Sequence, residues 1–404
     1  MEPAVPGEAL KLRGTWMGSG GRPCAALLLF LGLLTGCHQA GAPVLGRRWR
    51  VGLGACGMAL DGSGTRLAVV CRRSNDVWIL SLPDGAFEAR IDTLPKPRAV
   101  LFEPAGESFY VAEGLSNVAL VGLGDQRVER SFRPFWPVAG FAYEAGSGRL
   151  FCAQAGLPTL GVYRLKDMHL ETSLDVGGEV QAVAFAGPDA WVATRQADAL
   201  VRVSLKEMSI QAGALAGPDP RDLALDTDLG LAYVPCHGRA GAAEVLALPS
   251  PIPAAEADAV SPDAQDGEAG APPQPPSPGR SAAEIAEENA EDGVISASDA
   301  AAQQRFQGSG VAVVRLSDVR RVDYIAVPGG PVAAILSPSR RLLAVACEDG
   351  MLRLVDLAQR RVAASLDLQG RPGAMLPEPG GSGLLVALRS AKVVEEAFPG
   401  AGWR

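Results

Sequence analysis

Two stretches of the chain repeat one pattern: "DGSGTRLAVVCRRSNDVWILSLPDG" at residues 61–85 and "PSRRLLAVACEDGMLRLVDLAQR" at residues 338–360. Each contains a short apolar run, a polar turn, and a second run in which apolar and polar residues alternate. Alternation with a period of two is typical of β-strands. The pattern therefore predicts a pair of β-strands joined by a turn, and this pair occurs more than once.

An apolar hexamer precedes each such pair and occurs seven times, beginning at residues 56, 98, 139, 181, 221, 332 and 372. Successive hexamers are 42, 41, 42, 40, 111 and 40 residues apart. Five of these six intervals agree within two residues, which indicates a repeated structural unit. The long interval indicates an insertion within one unit.

Each unit contains four short apolar runs separated by Gly, Pro and Asp turns, and none has a helical period. Four short strands repeated in this way predict an all-β, seven-bladed β-propeller. The last unit is short, because only 33 residues follow residue 371. We expect "RRWRVGLG" at 47–54 to supply its missing strand, which would close the ring and remove two free sheet edges.

The insertion is predicted at 241–309, between the second and third strands of blade five. It is rich in Pro, Gly and acidic residues, which favours disorder. Residues 250–309 contain eleven acidic residues and two arginines, whereas the whole chain has a net charge of −8. The remaining body is therefore close to neutral, which argues against a nucleic acid partner.

One repeat resembles a known family. "SNDVWILSLPDG" at 74–85, preceded by "GMALDGSGTRLAVV" at 57–70, is similar to the YVTN-type β-propeller repeat. The resemblance covers about 56–240 and 310–404, although the fourth and seventh blades lack the Asn turn. It implies a seven-bladed propeller, and it leaves open a surface protein, a lactonase-like enzyme, a redox accessory protein or a protein without catalysis.

The N-terminal region resembles a lipoprotein signal. An apolar run at 24–34 follows three basic residues and is shorter than the roughly 20 residues that a membrane-spanning helix needs. It ends in "LTGC" at 34–37, which is similar to the lipobox of bacterial lipoproteins. We therefore expect Cys37 to be lipidated and the chain to be held on a membrane by its acyl chains.

These features predict a lipid-anchored protein of the bacterial cell envelope, with translation starting at Met1 or Met17. His38, rather than Asp, follows the lipidated Cys, which favours the outer membrane, with the body facing the periplasm or the cell surface. The predicted organisation is a signal peptide at 1–36, a lipidated tether at 37–46, a propeller at 47–404 and the insertion at 241–309 within it.

Residues just before the first strands should surround one mouth of the central channel. Three of them are arginines, Arg98, Arg221 and Arg371, and guanidinium groups suit carboxylate or phosphate. They are candidates for an anion site. The alternative is that they form ion pairs with neighbouring acids such as Asp219 and Asp222.

Cys236 and His237 are further ligand-binding candidates at the same mouth. Thiolate and imidazole groups are suitable ligands for zinc or copper. Cys71 and Cys347 should also lie near the ends of second strands, on the same face of the propeller. However, these residues belong to different blades, and neighbouring blades are already well separated at this distance from the propeller axis. We therefore predict no metal site from these groups, and expect the cysteines to serve as small buried hydrophobic residues.

The functional prediction depends on whether the acidic residues at the mouth take part in catalysis or in metal binding. Glu113, Asp222 and Glu348 are the candidates for a lactonase-like hydrolase, or for holding Ca²⁺ through several carboxylates. No catalytic triad, nucleophile elbow or phosphate-binding loop occurs in the sequence. The favoured hypothesis is a monomeric binding scaffold without catalysis, with an envelope protein or a small anionic ligand as partner.

Overall fold

The chain folds into seven four-stranded antiparallel sheets, which are the blades of a β-propeller. The computed structural model describes residues 44–114, 116–238, 308–390 and 392–397. All regular secondary structure in these ranges is β-strand. The all-β, seven-bladed fold predicted from the repeat is therefore confirmed.

The strands follow the repeat closely. Blade one contains β2 (Ala55–Leu60), β3 (Arg66–Cys71), β4 (Asp76–Ser81) and β5 (Ala86–Asp92). Blade two contains β6 (Ala99–Phe102), β7 (Ser108–Glu113), β8 (Asn117–Gly122) and β9 (Val128–Phe132). Blade three contains β10 (Val138–Glu144), β11 (Arg149–Gln154), β12 (Thr159–Arg164) and β13 (His169–Asp175). Blade four contains β14 (Val180–Ala186), β15 (Asp189–Thr194), β16 (Ala199–Ser204) and β17 (Ser209–Leu215).

The remaining blades include the insertion and both ends of the described chain. Blade five contains β18 (Ala224–Asp226), β19 (Leu231–Cys236), β20 (Gly310–Arg315) and β21 (Arg320–Ala326). Blade six contains β22 (Pro331–Leu336), β23 (Leu342–Cys347), β24 (Met351–Asp356) and β25 (Arg361–Asp367). Blade seven contains β26 (Pro372–Pro377), β27 (Gly383–Leu388), β28 (Lys392–Ala397) and the first strand of the chain, β1 (Val44–Arg50).

In blades one to six the strands lie in chain order with the first strand innermost, and in blade seven β26 is innermost. Neighbouring inner strands contact one another all the way round, from β2 through β6, β10, β14, β18, β22 and β26 and back to β2. The ring is therefore closed.

The N-terminal strand completes blade seven, as the sequence predicted. β1 pairs antiparallel with β28, which gives the order β1–β28–β27–β26. The bounds differ from the predicted 47–54, because the strand begins at Val44 and ends at Arg50. It stops short of Gly52, where the backbone runs so close to blade one that a Cβ would overlap side-chain atoms of Ser74 and Asp76.

The hydrophobic core lies between blades. Second strands such as β7 and β23 are buried along their whole length, because a neighbouring blade covers each face of the sheet. Seven hydrophobic clusters fill the seven junctions, and each joins two neighbouring blades. At the closing junction, Trp49 of β1 packs with Leu67 of blade one and Leu385 of blade seven. Burial of one such side chain contributes about 1.5–3 kcal/mol.

The insertion interrupts blade five where the repeat spacing placed it, between β19 and β20. Its residues, except for Gly308 and Ser309, lie outside the described ranges. The predicted signal peptide at 1–36 and the lipidation candidate Cys37 also lie outside them, whereas the last three residues of the predicted tether belong to β1. Nowhere in the described ranges does a helix have the length and apolar character to cross a membrane.

Candidate functional site

The eight candidate binding and catalytic residues lie at or beside one end of the propeller, which we call the mouth face. Successive strands of a blade run in opposite directions, so the ends of second strands and the starts of first strands meet at the same end. The mouth face consists of the connections at 51–54, 93–98, 133–137, 176–179, 216–223, 327–330 and 368–371, and of the turns that begin at residues 72, 114, 155, 195, 237, 348 and 389.

The structure does not bring the three candidate arginines together. They lie at separate blade junctions, with Arg98 between blades one and two, Arg221 between four and five, and Arg371 between six and seven. Arg221 forms an ion pair of 2.6 Å with Asp219, whose other carboxylate oxygen lies 3.0 Å from Arg195. Arg221 therefore belongs to an ion-pair network with Asp219 and Arg195.

His237 and Glu348 link blades five and six. The Nε2 atom of His237 lies 2.7 Å from Glu348 Oε2, and its backbone N–H donates to Asp219 O at 2.9 Å. The hydrogen bond from His237 holds the pKa of Glu348 below its ordinary value. A cleft of about 410 Å³ opens beside this pair and is lined by His237, Gly238, Ser309, Gly329, Gly330, Glu348, Asp349 and Arg371.

Cys236 points into the core and away from this cleft. Its side chain has no exposed surface, and its Sγ–H donates to Val234 O at 3.3 Å. Burial raises the pKa of the Cys236 thiol, so it does not supply a thiolate. Cys71 and Cys347 are equally buried. In the described part of the chain, no group of three or more His, Cys, Asp or Glu side chains is placed to hold a metal ion.

The three candidate acids lie on different blades, and each holds the structure around it. Glu113 accepts hydrogen bonds from Leu94 N–H at 2.9 Å and from Asn117 Nδ2 at 3.0 Å, so it fastens a connection to a turn. Asp222 accepts a hydrogen bond from Ala334 N–H of the neighbouring inner strand at 2.9 Å.

Protein atoms surround the Asp222 carboxyl in the channel wall, although the residue is only half-buried. This burial raises the pKa of Asp222 to about 6, and the hydrogen bonds from Ala334 and Leu223 act in the opposite direction. The Asp222 carboxylate is nevertheless engaged by the backbone of the neighbouring blade rather than by another acid.

A second cleft, which we call the basic cleft, lies where blades seven, one and two meet. Its volume is about 810 Å³, and it is lined by Gly54, Cys56, Arg72, Arg73, Asn75, Pro95, Lys96, Gly373 and Arg389. Four of these nine residues are cationic and none is acidic. Cys56 is half-buried, whereas the other cysteines in the described ranges are buried.

These cationic residues were not predicted from the sequence, although a signal for two of them was present. Arg72 and Arg389 directly follow the second strands of their blades. His237 and Glu348, which were selected, occupy the same position in blades five and six. The repeat therefore offered a comparison of one position across all blades, and this comparison would have found both arginines.

Exposed large apolar residues on the connections of the mouth face occur at only three blade junctions within the described ranges. They are Leu53 before blade one, Leu94 before blade two, and Phe135 and Trp136 before blade three. Phe135 is 70% exposed and Trp136 is 53% exposed. The three junctions are consecutive, so these side chains occupy one sector of the ring, which we call the apolar arc.

These observations define the class of the protein as a seven-bladed β-propeller with an asymmetric mouth face. Comparison with family models and with curated proteins finds no match to the chain. The fold is therefore established by the structure, and the resemblance to the YVTN-type repeat stays a resemblance.

Proposed function

We propose that the chain is a lipid-anchored propeller of the bacterial cell envelope that binds a partner protein through its mouth face and catalyses no reaction. The observation that carries this proposal is the apolar arc. Aromatic side chains with more than half of their surface in water are costly to leave exposed, and they are enriched at protein interfaces. Here they stand on connections held by a closed scaffold.

The charge around the apolar arc indicates the chemistry of the partner. Lys96 lies two residues after Leu94, and Arg133 lies two residues before Phe135. Neither cation has a carboxylate within 4.0 Å among the described residues. A complementary surface would present an apolar centre with Asp and Glu at its rim, because matched charges at a rim speed association and fix orientation.

The hydrolase alternative finds less support in the geometry. A hydrolase needs a carboxylate free to accept a proton from water or substrate, close to a second polar group that stabilises charge. Glu113 and Asp222 both accept hydrogen bonds from backbone N–H groups, and Glu348 accepts one from His237. Each carboxylate therefore has a structural task. The same engagement argues against a shared Ca²⁺ site.

Membership of the YVTN-type repeat family is part of the proposal. The Asn turn of that repeat stands at Asn75, whose backbone has a positive φ of 58°. Asn tolerates this conformation better than most residues. Its Oδ1 also accepts a hydrogen bond from Lys96 N–H at 2.9 Å, so the turn fixes the connection to the next blade.

The membrane anchor is tested by substitution of the lipidation candidate. Cys37→Ser should move the full chain from the membrane fraction to the soluble fraction, because a chain without acyl groups has no anchor. The substitution Cys56→Ser is the matched control, since it removes a thiol within the propeller. Retention of the Cys37→Ser variant in the membrane fraction would contradict the lipoprotein assignment.

The partner site is tested by crosslinking in envelopes. A photo-crosslinking amino acid in place of Trp136 should give a covalent adduct with one partner, and the same amino acid in place of Leu229 should not. Leu229 is 63% exposed and lies on the opposite face, so it is a matched control. Phe135→Ser and Trp136→Ser should each reduce partner recovery by more than roughly tenfold, as expected for central aromatic contacts. Equal recovery with these variants would refute the site.

A further inference from the structure

The basic cleft holds four cationic side chains that form no ion pair with a described carboxylate, although Arg389 feels the longer-range attraction of Glu348. No described carboxylate lies within 4.0 Å of its four cationic side chains. The acid nearest to them in sequence, Asp76, is already engaged by Arg90 at 2.8 Å and by Ser74 Oγ at 2.7 Å. Like charges in one cleft repel one another, so this arrangement favours the binding of an anion.

Arg98 adds an enclosed donor beside the basic cleft. Its Nε atom is buried and has no acceptor among the described residues, although buried donors in proteins are nearly always hydrogen-bonded. The Sγ atom of Cys56, which lines the cleft, lies 3.8 Å from the carbonyl oxygen of Arg98. A ligand with several oxygen atoms in the basic cleft would bring hydrogen-bond acceptors to the side of the propeller on which Arg98 lies.

We propose that the basic cleft binds a small molecule that carries two or more phosphate or carboxylate groups. Guanidinium groups bind both kinds of oxyanion in a bidentate manner, and three of the four cations that line the cleft are arginines. The cleft volume of about 810 Å³ lies within the range of small-molecule sites. Because the cleft has four cationic side chains at separate positions, a ligand with several negative charges matches it best. The basic cleft shares Lys96 with the proposed partner interface, but binding of a small anion there does not require the partner protein.

Cys56 provides a direct readout of occupancy. It is the half-buried cysteine of the described ranges and lines the basic cleft, whereas Cys152 is fully buried and serves as an internal reference. The full chain is treated with N-ethylmaleimide, and labelling of each cysteine is measured by peptide mass spectrometry. Pyrophosphate and citrate, each at matched ionic strength, should slow the labelling of Cys56 by roughly tenfold if they fill the cleft.

Charge-removing variants establish the residues responsible. Arg72 and Arg389 are exposed, so Arg72→Gln and Arg389→Gln are expected to fold normally. Each should weaken the protection of Cys56 and raise the Kd for pyrophosphate by at least roughly tenfold, because hydrogen bonds to charged groups are the strong ones. Arg127→Gln, an exposed arginine on the opposite face, is the matched control and should leave the Kd unchanged.

Vesicles of phosphatidylglycerol in phosphatidylcholine distinguish a soluble ligand from a lipid headgroup. Protection of Cys56 by pyrophosphate or citrate, lost in Arg72→Gln and Arg389→Gln, supports the proposal. Protection by vesicles alone overturns it in favour of a membrane headgroup. Absence of protection by every probe, or equal protection in wild type and both variants, overturns it entirely. Crosslinking at position 136 is scored separately, so failure of one proposal is not failure of the other.

Discussion

The junction that closes the ring includes one contact, between Trp49 and Gly85, that can be tested by substitution. Trp49 of the closing strand packs on the turn of blade one at Gly85, and a methyl group on Gly85 would overlap its indole ring. Gly85 also has a positive φ of 66°. Gly85→Ala should therefore weaken the fold for two reasons, the strained backbone and the displaced indole.

The two costs can be separated with a matched glycine. Gly148 has a similar φ of 69°, but a Cβ built there meets no atom within 4 Å. Gly148→Ala should cost only the backbone term, about 1–2 kcal/mol. Gly85→Ala should cost this amount and a further 1–3 kcal/mol, roughly, for overpacking against the indole. The expected difference between the two variants is therefore about 1–3 kcal/mol.

A double-mutant cycle tests whether the indole is the cause. Trp49→Ala alone should cost about 3–5 kcal/mol, because it empties part of the closing junction. In that background, Gly85→Ala should cost no more than Gly148→Ala. The free energy of unfolding is measured by urea titration followed with far-UV circular dichroism, which avoids the change in tryptophan fluorescence. Equal costs for Gly85→Ala and Gly148→Ala in the wild-type background would refute the closing contact.

Three further predictions concern the carboxylates. The pKa of Asp222 is raised from 3.8 to about 6, so its ionisation opposes folding as pH rises through this window. The wild-type protein should therefore lose up to about 3 kcal/mol of stability between acid and neutral pH, and Asp222→Asn should remove this loss. Urea unfolding across the pH range measures the difference. Burial raises the pKa of Asp61, but hydrogen bonds from Ser63, Arg66 and Thr65 outweigh it and lower the pKa. The carboxylate therefore stabilises the fold above its ordinary pKa, and this stability is lost in acid. In the same unfolding assay, Asp61→Ala should cost about 1–2 kcal/mol at neutral pH and less below about pH 3. Glu113→Gln should speed hydrogen exchange of the Leu94 amide while amides of β23 stay protected, and unchanged exchange at Leu94 would contradict its role.

The repeated part of the fold was predictable because it depends on local patterns. Second strands carry unbroken apolar runs, since two neighbouring blades cover them, and the spacing of the hexamers gave the number of blades directly. The bounds of the closing strand were less predictable. β1 pairs with a strand about 350 residues away in sequence, and its end is fixed by packing of Gly52 against blade one, which no local pattern reports.

The positions of the candidate residues were predictable, but the ion-pair partners of the charged ones were not. The repeat placed all eight candidates on or beside the mouth face, because the end of a strand determines where its flanking residues lie. Which charges pair across blades depends on lateral distances between connections. Arg195 of blade four and Arg221 before blade five share Asp219, and this could not be read from any single repeat.

The repetition of strands does not extend to the mouth face, and this difference bears on function. Between blades four and six polar side chains pair with one another, since Asp219 forms ion pairs with two arginines and Glu348 forms a hydrogen bond with His237. Removal of one such group leaves its partner uncompensated, so these residues stabilise the ring. Between blade seven and blade three the face instead presents cations without an ion pair to a described carboxylate, together with exposed aromatic side chains. Groups that cost stability in the free protein gain it only when something binds, so the two proposed binding sites lie in the sector whose surface groups are least paired within the protein.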